Sequence, residues 1–441
     1  MPEALMSRGM SRGWRRARRS LAVFGLLIAV ACSLRPPVAS VPQCGSGGAP
    51  TTARLQFEEI ASGLPRAGQQ RDGFDVADMN GDGYLDVITG PVRKGRRAPA
   101  IFLGDGSGQF TRWSEVRFPP LPYDYGEIRA GDLDGDGIPD LVLASHLRGI
   151  VAMINDGGRH FALWNEGLRY SLPEQDVENP AFSSRAIELA DWDGDGLLDI
   201  VALNEGPSLL SRAALDEPAL AVWLNRGGSW QRIAQATVHS FGASLATGDV
   251  DGDGSIDAVI ASNVAGMRRI LHLGGKNGWD VSDLLSLPER GRVTAVAIVG
   301  RSIAAATQDG SQNPQCSALQ LVTLAHGKDQ AQSLWSEPGR LPITEIDRGD
   351  LNGDGDLDLV AMRADGSILT FLGQGRRGFT RDAEIAAPED LHGCNGFDVR
   401  VHDVDGDGRA EILAAYAFDV SPGSSHRCAS GGGFAVFRSA R

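Results

Sequence analysis

Short apolar runs set between glycines recur along almost the whole chain. One set reads DVITG, DLVLAS, DIVALN, DAVIAS, DLVAMR and EILAAY; a second reads APAIFLG, IVAMIN, LAVWLN, ILHLG, LQLVTL, ILTFLG and FAVF. Runs of Val, Ile and Leu this short, bounded by Gly, predict strands buried on both faces. A brief alternating segment precedes each run of the first set and predicts a half-buried inner strand. Gly-rich turns ending in Phe or Trp (GSGQF, GGRHF, RGGSW, KNGW, RRGF) follow the second set and open a fourth, outer strand. Four meandering strands, repeated, describe a β-propeller.

The count of blades comes from a nine-residue pattern lying between the first and second strands. It begins at residues 78, 132, 191, 249, 350 and 403. Successive copies stand 53 to 59 residues apart, except for one step, from 249 to 350, which is 101. A unit without the pattern is therefore expected near residue 300, where TAVAIVGRSIAAAT (294–307) has two apolar runs joined by a bare Gly-Arg turn. Six loops and one blank make seven units, a period typical of propellers or solenoids. The fold class expected is all-β: a seven-bladed propeller of four-stranded antiparallel blades over residues 53–441. The chain stops soon after the third strand of blade seven, and ARLQFEEI (53–60) precedes blade one. That amino-terminal strand is expected to complete the last blade, closing the ring and removing an open sheet edge.

The nine-residue loops carry the chemistry. Position 1 is Asp78, Asp132, Asp191, Asp249, Asp350 and Asp403; position 3 is Asn80, Asp134, Asp193, Asp251, Asn352 and Asp405. Position 5 is Asp82, Asp136, Asp195, Asp253, Asp354 and Asp407; position 9 is Asp86, Asp140, Asp199, Asp257, Asp358 and Glu411. Alternate carboxylates on a tight turn converge, and like charges so close are unfavourable without a counterion. A hard divalent cation with six to eight oxygen ligands answers that repulsion, and Ca²⁺ suits such a set better than Mg²⁺. Position 6 is Gly in every copy, as a sharp turn requires. Position 7 varies (Tyr84, Ile138, Leu197, Ser255, Asp356, Arg409), as expected where the backbone carbonyl is the ligand. About six calcium ions, in a structural role, are the expected cofactors.

The closing acid at position 9, leading directly into a strand, resembles the FG-GAP or VCBS repeat. That family includes the propeller of integrin α subunits and many bacterial exported proteins. The resemblance spans nearly the whole chain after its leader, with Asn80, Asn352, Glu411 and the blank fifth blade as departures. It implies partner binding on the rim opposite the calcium loops. Loops on that rim carry Arg93, Lys94, Arg96 and Arg97 together, and Tyr123 and Tyr125 nearby. Such a surface suits an anionic glycan or an acidic protein patch.

Composition narrows the class. With 57 glycines in 441 residues, 6% aromatic and 42% hydrophobic residues, the chain is no coiled coil, disordered chain or polytopic membrane protein. The net charge of −14 argues against nucleic acid as the main partner. Yet 23 of the 56 acids lie in the six loops, so much of that acidity is ligand charge.

The first 31 residues read as an export signal: six arginines at positions 8–19, then an apolar stretch too short to span a bilayer. Two processing readings stand side by side, a lipobox ending at Cys32 and cleavage after Ser40. Residues 32–52 read as a linker. Lipidation of Cys32 would leave four cysteines, an even number suited to an oxidising compartment. Cys394 precedes the first strand of blade seven and Cys428 lies in its second-to-third loop, which predicts a Cys394–Cys428 bond and leaves Cys44 and Cys316 unassigned. Three residues before the loops, Asp347, Arg400, Asp75, Arg129 and Glu188 alternate in sign around the ring. They predict an inter-blade charge ladder along the axis.

Neither GxSxG nor HExxH occurs, and His146, His392, His402 and His426 are scattered. The function expected is therefore a non-catalytic, extracytoplasmic, monomeric binding or adhesion module for a protein or glycan, touching a membrane only through a lipid at Cys32. A polysaccharide lyase or hydrolase and a ligand-free scaffold are the alternatives.

Overall fold

The computed structural model describes residues 44–45 and 53–440, apart from 72, 93–97, 122–125, 171–181, 206–218, 235–241, 243, 262–269, 274–281, 284–290, 311–314, 326–327, 340 and 419–427. The described residues all belong to one unit, 41–441. The export-signal residues, Cys32 and most of the linker lie outside them.

Seven four-stranded antiparallel sheets make up the fold. Blade one, for example, runs Phe74–Ala77, Asp86–Thr89, Ala100–Gly104 and Phe110–Arg112 from inside outward. The middle strands Asp140–Ser145 and Leu220–Asn225 are buried along their whole length. The outer strands of blades one and two, Phe110–Arg112 and Phe161–Leu163, bury only their first residue. This gradient follows from geometry: each sheet is covered on both faces by its neighbours, and only its outer edge meets solvent.

The hydrophobic core is divided among the seams between blades. Phe74 and Val87 of blade one pack against Leu413 and Phe434 of blade seven, with the Phe74 and Phe434 rings edge-on at 5.2 Å. Inner strands pack in cyclic order, blade seven touching blade one as well as blade six. The blank blade is real: Gly291–Val299 and Ser302–Asp309 pair directly across the Gly300-Arg301 turn. Its seam uses small side chains (Ala295, Ala297, Ala304, Ala306). In place of an acidic loop it offers Arg301, whose guanidinium lies against Gly252 of the blade-four loop.

Ring closure has the topology anticipated. Phe57–Ile60 pairs antiparallel with Gly432–Ser439, from Phe57 opposite Ser439 to Ile60 opposite Val436. It forms the fourth strand of the sheet containing Asn395–His402 and Glu411–Ala417.

Residues before that strand strap the outside of two other blades. Cys44 is bonded to Cys316, at the start of the third strand of blade five, with Cα atoms 5.7 Å apart. The amides of Arg54 and Leu55 donate to the Asp382 carboxylate in the outer strand of blade six (2.6 and 3.1 Å). A second disulfide joins Cys394 to Cys428, Cα atoms 4.4 Å apart. Two disulfides indicate an oxidising, extracytoplasmic environment. Among the described residues, no helix is long and apolar enough to cross a membrane.

Sequence separation ranks the bridges. Cys44–Cys316 spans 272 residues and Cys394–Cys428 only 34. By the loop-entropy estimate they contribute ~6 and ~4 kcal/mol. Cys44→Ser is therefore expected to lower the denaturant midpoint at least as far as Cys428→Ser. A midpoint unmoved by Cys44→Ser would show that the strap adds nothing.

Candidate metal centres and the axial channel

Each nine-residue loop is a hairpin organised by its own carboxylates. In blade two, Oδ1 and Oδ2 of Asp132 accept the amides of Gly135 (2.7 Å) and Gly137 (2.9 Å). Asp134 accepts the amide of Asp136 and Asp136 that of Ile138 (3.2 and 2.8 Å). Gly135 and Gly137 have φ of 83° and 88°, a region closed to most side chains. Position 4 thus needs Gly as much as position 6 does.

Carboxylates of four loops come close enough to share one cation. In Asp132/Asp134/Asp136, Asp191/Asp193/Asp199, Asp249/Asp251/Asp257 and Asp403/Asp405/Glu411, one oxygen from each residue lies within 4.8 Å of the others. An unmet acceptor supports the fit: Oδ1 of Asp191 is buried and meets no donor. A buried acceptor so placed is costly unless something coordinates it. The two loops bearing Asn differ, since Asn80 and Asn352 donate to Asp82 and Asp354 (both 2.9 Å). In blade three Arg226 reaches Asp193 (2.8 Å) and Asp195 (3.0 Å), a cation from the protein itself.

Position 9 has a second task that its sequence pattern does not reveal. Asp140 is fully buried. It accepts the Leu133 amide inside the loop (2.8 Å) and the Asn155 amide of the third strand (2.7 Å). Asp86, Asp199 and Asp358 repeat this two-way staple. Burial pushes Asp140, Asp199 and Asp358 up to about 6 and Asp86 and Glu411 up to about 7, against the pull of their amide donors.

The charge ladder is present in altered form. Arg129 reaches Glu188 of the next blade at 3.3 Å. Asp75 and Asp347 instead take backbone amides across the seams, from Ala130 and Val401 (both 2.8 Å). Arg400 pairs with Asp398 (2.7 Å) and Glu127 (3.5 Å), and Glu127 also meets Arg129. The ladder pattern in the sequence does not include Glu127, Glu345 and Asp398. Each stands two residues before a ladder position, hence on the same strand face.

Among the described residues, two cavities follow the axis. One, of about 280 Å³, lies beside the ladder and includes Asp75, Glu188, Asp347, Arg348 and His402. The other, of about 250 Å³, lies at the starts of the inner strands, on the rim away from the acidic loops. Glu127 and Glu345 line both. Arg93, Lys94, Arg96, Arg97, Tyr123 and Tyr125, expected on that same rim, lie outside the described residues.

A family model described as FG-GAP-like repeat matches residues 78–143 and 350–414. No curated protein matches the chain. Among solved structures, two crystal structures of BBS1N in complex with ARL6DN, soaked with lead or mercury, are similar at TM-score 0.54. They share 12% and 13% identity with it, over 89% of this chain and 98% of theirs. The Photorhabdus luminescens Tc holotoxin pore is similar at TM-score 0.39 and 17% identity, over 88% of this chain and 15% of its own. The chain is a seven-bladed β-propeller carrying FG-GAP-like repeats.

Proposed function

We propose that the chain is a calcium-stabilised, non-catalytic binding module. It acts outside the cytoplasm as a monomer and engages a protein or glycan through the rim opposite the acidic loops. The observation that carries this is segregation. One rim holds the six acidic loops, four of them with three carboxylates close enough to share a hard cation, and leaves the opposite rim to vary. Ca²⁺ is the ion of choice because the donors are all oxygen and the position-7 carbonyl is available in every loop. The disulfides favour export, with lipidation of Cys32 as the means of anchoring.

Binding of the labelled protein to a glycan array and to intact cells, in calcium, tests the reading. Arg96→Glu with Arg97→Glu is expected to abolish the signal without moving the melting temperature. Absence of any binding, or turnover of a polysaccharide on the array, would overturn it.

A further inference from the structure

The cavity at the mouth of the axis is built differently from the one beside the ladder. In the inner cavity Asp75 and Asp347 are held by amides of the adjoining blade, and Glu188 by Arg129. Those charges set the register between blades. The mouth is another matter. Register shifts interrupt four inner strands, between Ser184 and Ala186, Val293 and Ala295, Ile343 and Glu345, and Gly396 and Asp398. The extra residues are Arg185, Thr294, Thr344 and Phe397, and all four line this cavity. Bulges re-aim side chains, and they cluster beside functional sites. The four shifts fall at equivalent places; in the other three blades the paired inner strand begins beyond that place, at Phe74, Ile128 and Ser244.

Charges around the mouth are segregated by blade. Arg71, Arg185 and Arg292 come from blades one, three and five; Glu127, Glu345 and Asp398 come from blades two, six and seven. Arg71 lies over the Phe397 ring, 5.1 Å from its centroid. Arg292 is steadied by two contacts to Gln308 (2.7 and 3.0 Å). Glu127 and Asp398 are neutralised by Arg129 and Arg400. Glu345 is not: among the described residues it has no ion pair, and Oε1 accepts only the Ile346 amide at 3.3 Å. Burial, with Asp398 and Glu127 close by, drives its carboxyl well above the usual range despite Arg400.

From this geometry we infer that the mouth of the channel is a binding site for a small zwitterion of the α-amino-acid class, its ammonium group at Glu345 and its carboxylate at the arginines. Arginine is suited to carboxylates by its planar fork. A volume of about 250 Å³ falls below the ~300–1,000 Å³ of pockets for drug-sized ligands, as a single amino acid requires. The site goes beyond the macromolecular reading above and is tested with no macromolecule present.

The experiment is calorimetric titration of the calcium-loaded full chain with individual L-amino acids, then with the N-acetyl and carboxamide forms of whichever binds. At least one amino acid is expected to bind, and blocking either end should weaken it at least tenfold. Glu345→Gln and Arg292→Gln should each do the same with the melting temperature preserved. No binding by any amino acid would overturn the assignment. So would blocked forms binding equally, galacturonate binding in their place, or binding unmoved in folded variants. The blocked forms decide the matter on the unaltered protein even if a variant fails to fold.

Discussion

Excess EDTA is expected to lower the melting temperature of the purified protein by on the order of 10 °C, and calcium to restore it. Each ion bound only by the folded state at a hundred times its dissociation constant contributes ~2.7 kcal/mol. Several such sites acting together give a shift of that order even in a large domain. The metal-free loops also hold unrelieved repulsion: three acids share a small volume in each of four loops, and Asp191 keeps a buried oxygen without a donor. The effect should depend on pH in a definite direction. With no ion bound, the position-9 carboxyls of five loops are pushed up to about 6 or 7, first by burial. A cation needs them ionised, so its binding must expel protons. Stabilisation by calcium should thus be largest at pH 8 and shrink as pH falls through 7 to 6. A melt indifferent to chelator at pH 8 would remove the metal from the account of this fold.

How much of this could be read without coordinates depends on whether a feature is local. The acidic loops are local and periodic, so their number, spacing and the blank at residue 300 were visible. The closing strand was visible for a related reason: a chain that ends on a third strand leaves one place open, and Phe57–Ile60 fills it. The Cys44–Cys316 bond was not, because nothing near either cysteine reports that Cys44 meets blade five while Arg54 and Leu55 meet blade six. The bulges escaped too. Thr344 and Phe397 look like ordinary alternating positions, and only pairing with the second strand shows that one residue is extra. That extra residue reverses which neighbours face the axis. Glu345 and Asp398 come after the bulge and keep the face of Asp347 and Arg400, so the residues it re-aims are Thr344 and Phe397 themselves. The double use of position 9 is hidden similarly. A carboxylate that staples the loop to the third strand and one that binds a cation look identical in the sequence. The two roles agree physically, since holding Asp140 by two amides also fixes the oxygen that a cation would meet.

Closure of the ring is the one structural step made by strands far apart in the chain, and disrupting it is expected to be severe. Glu58 and Glu59 are both exposed in the closing strand, and they pair with Arg438 and Arg66 respectively. Glu58→Pro combined with Glu59→Pro removes two amide donors and fixes two φ angles while sparing every apolar side chain of the strand. Glu58→Ala with Glu59→Ala removes the same ion pairs but keeps the strand, and isolates the backbone effect. Exposed surface ion pairs contribute little, so the alanine variant should melt within a few degrees of the parent. The proline variant should leave Gly432–Ser439 as an open edge. Its fully buried Val436 and Phe434 would then lie next to an unpaired ladder, the arrangement that recruits a second chain. Size-exclusion chromatography should show oligomers or aggregate for the proline variant alone, with a melting temperature well below the alanine control. A monomeric proline variant melting with that control would mean the seams between blades hold the ring shut, and that the terminal strand merely covers an edge.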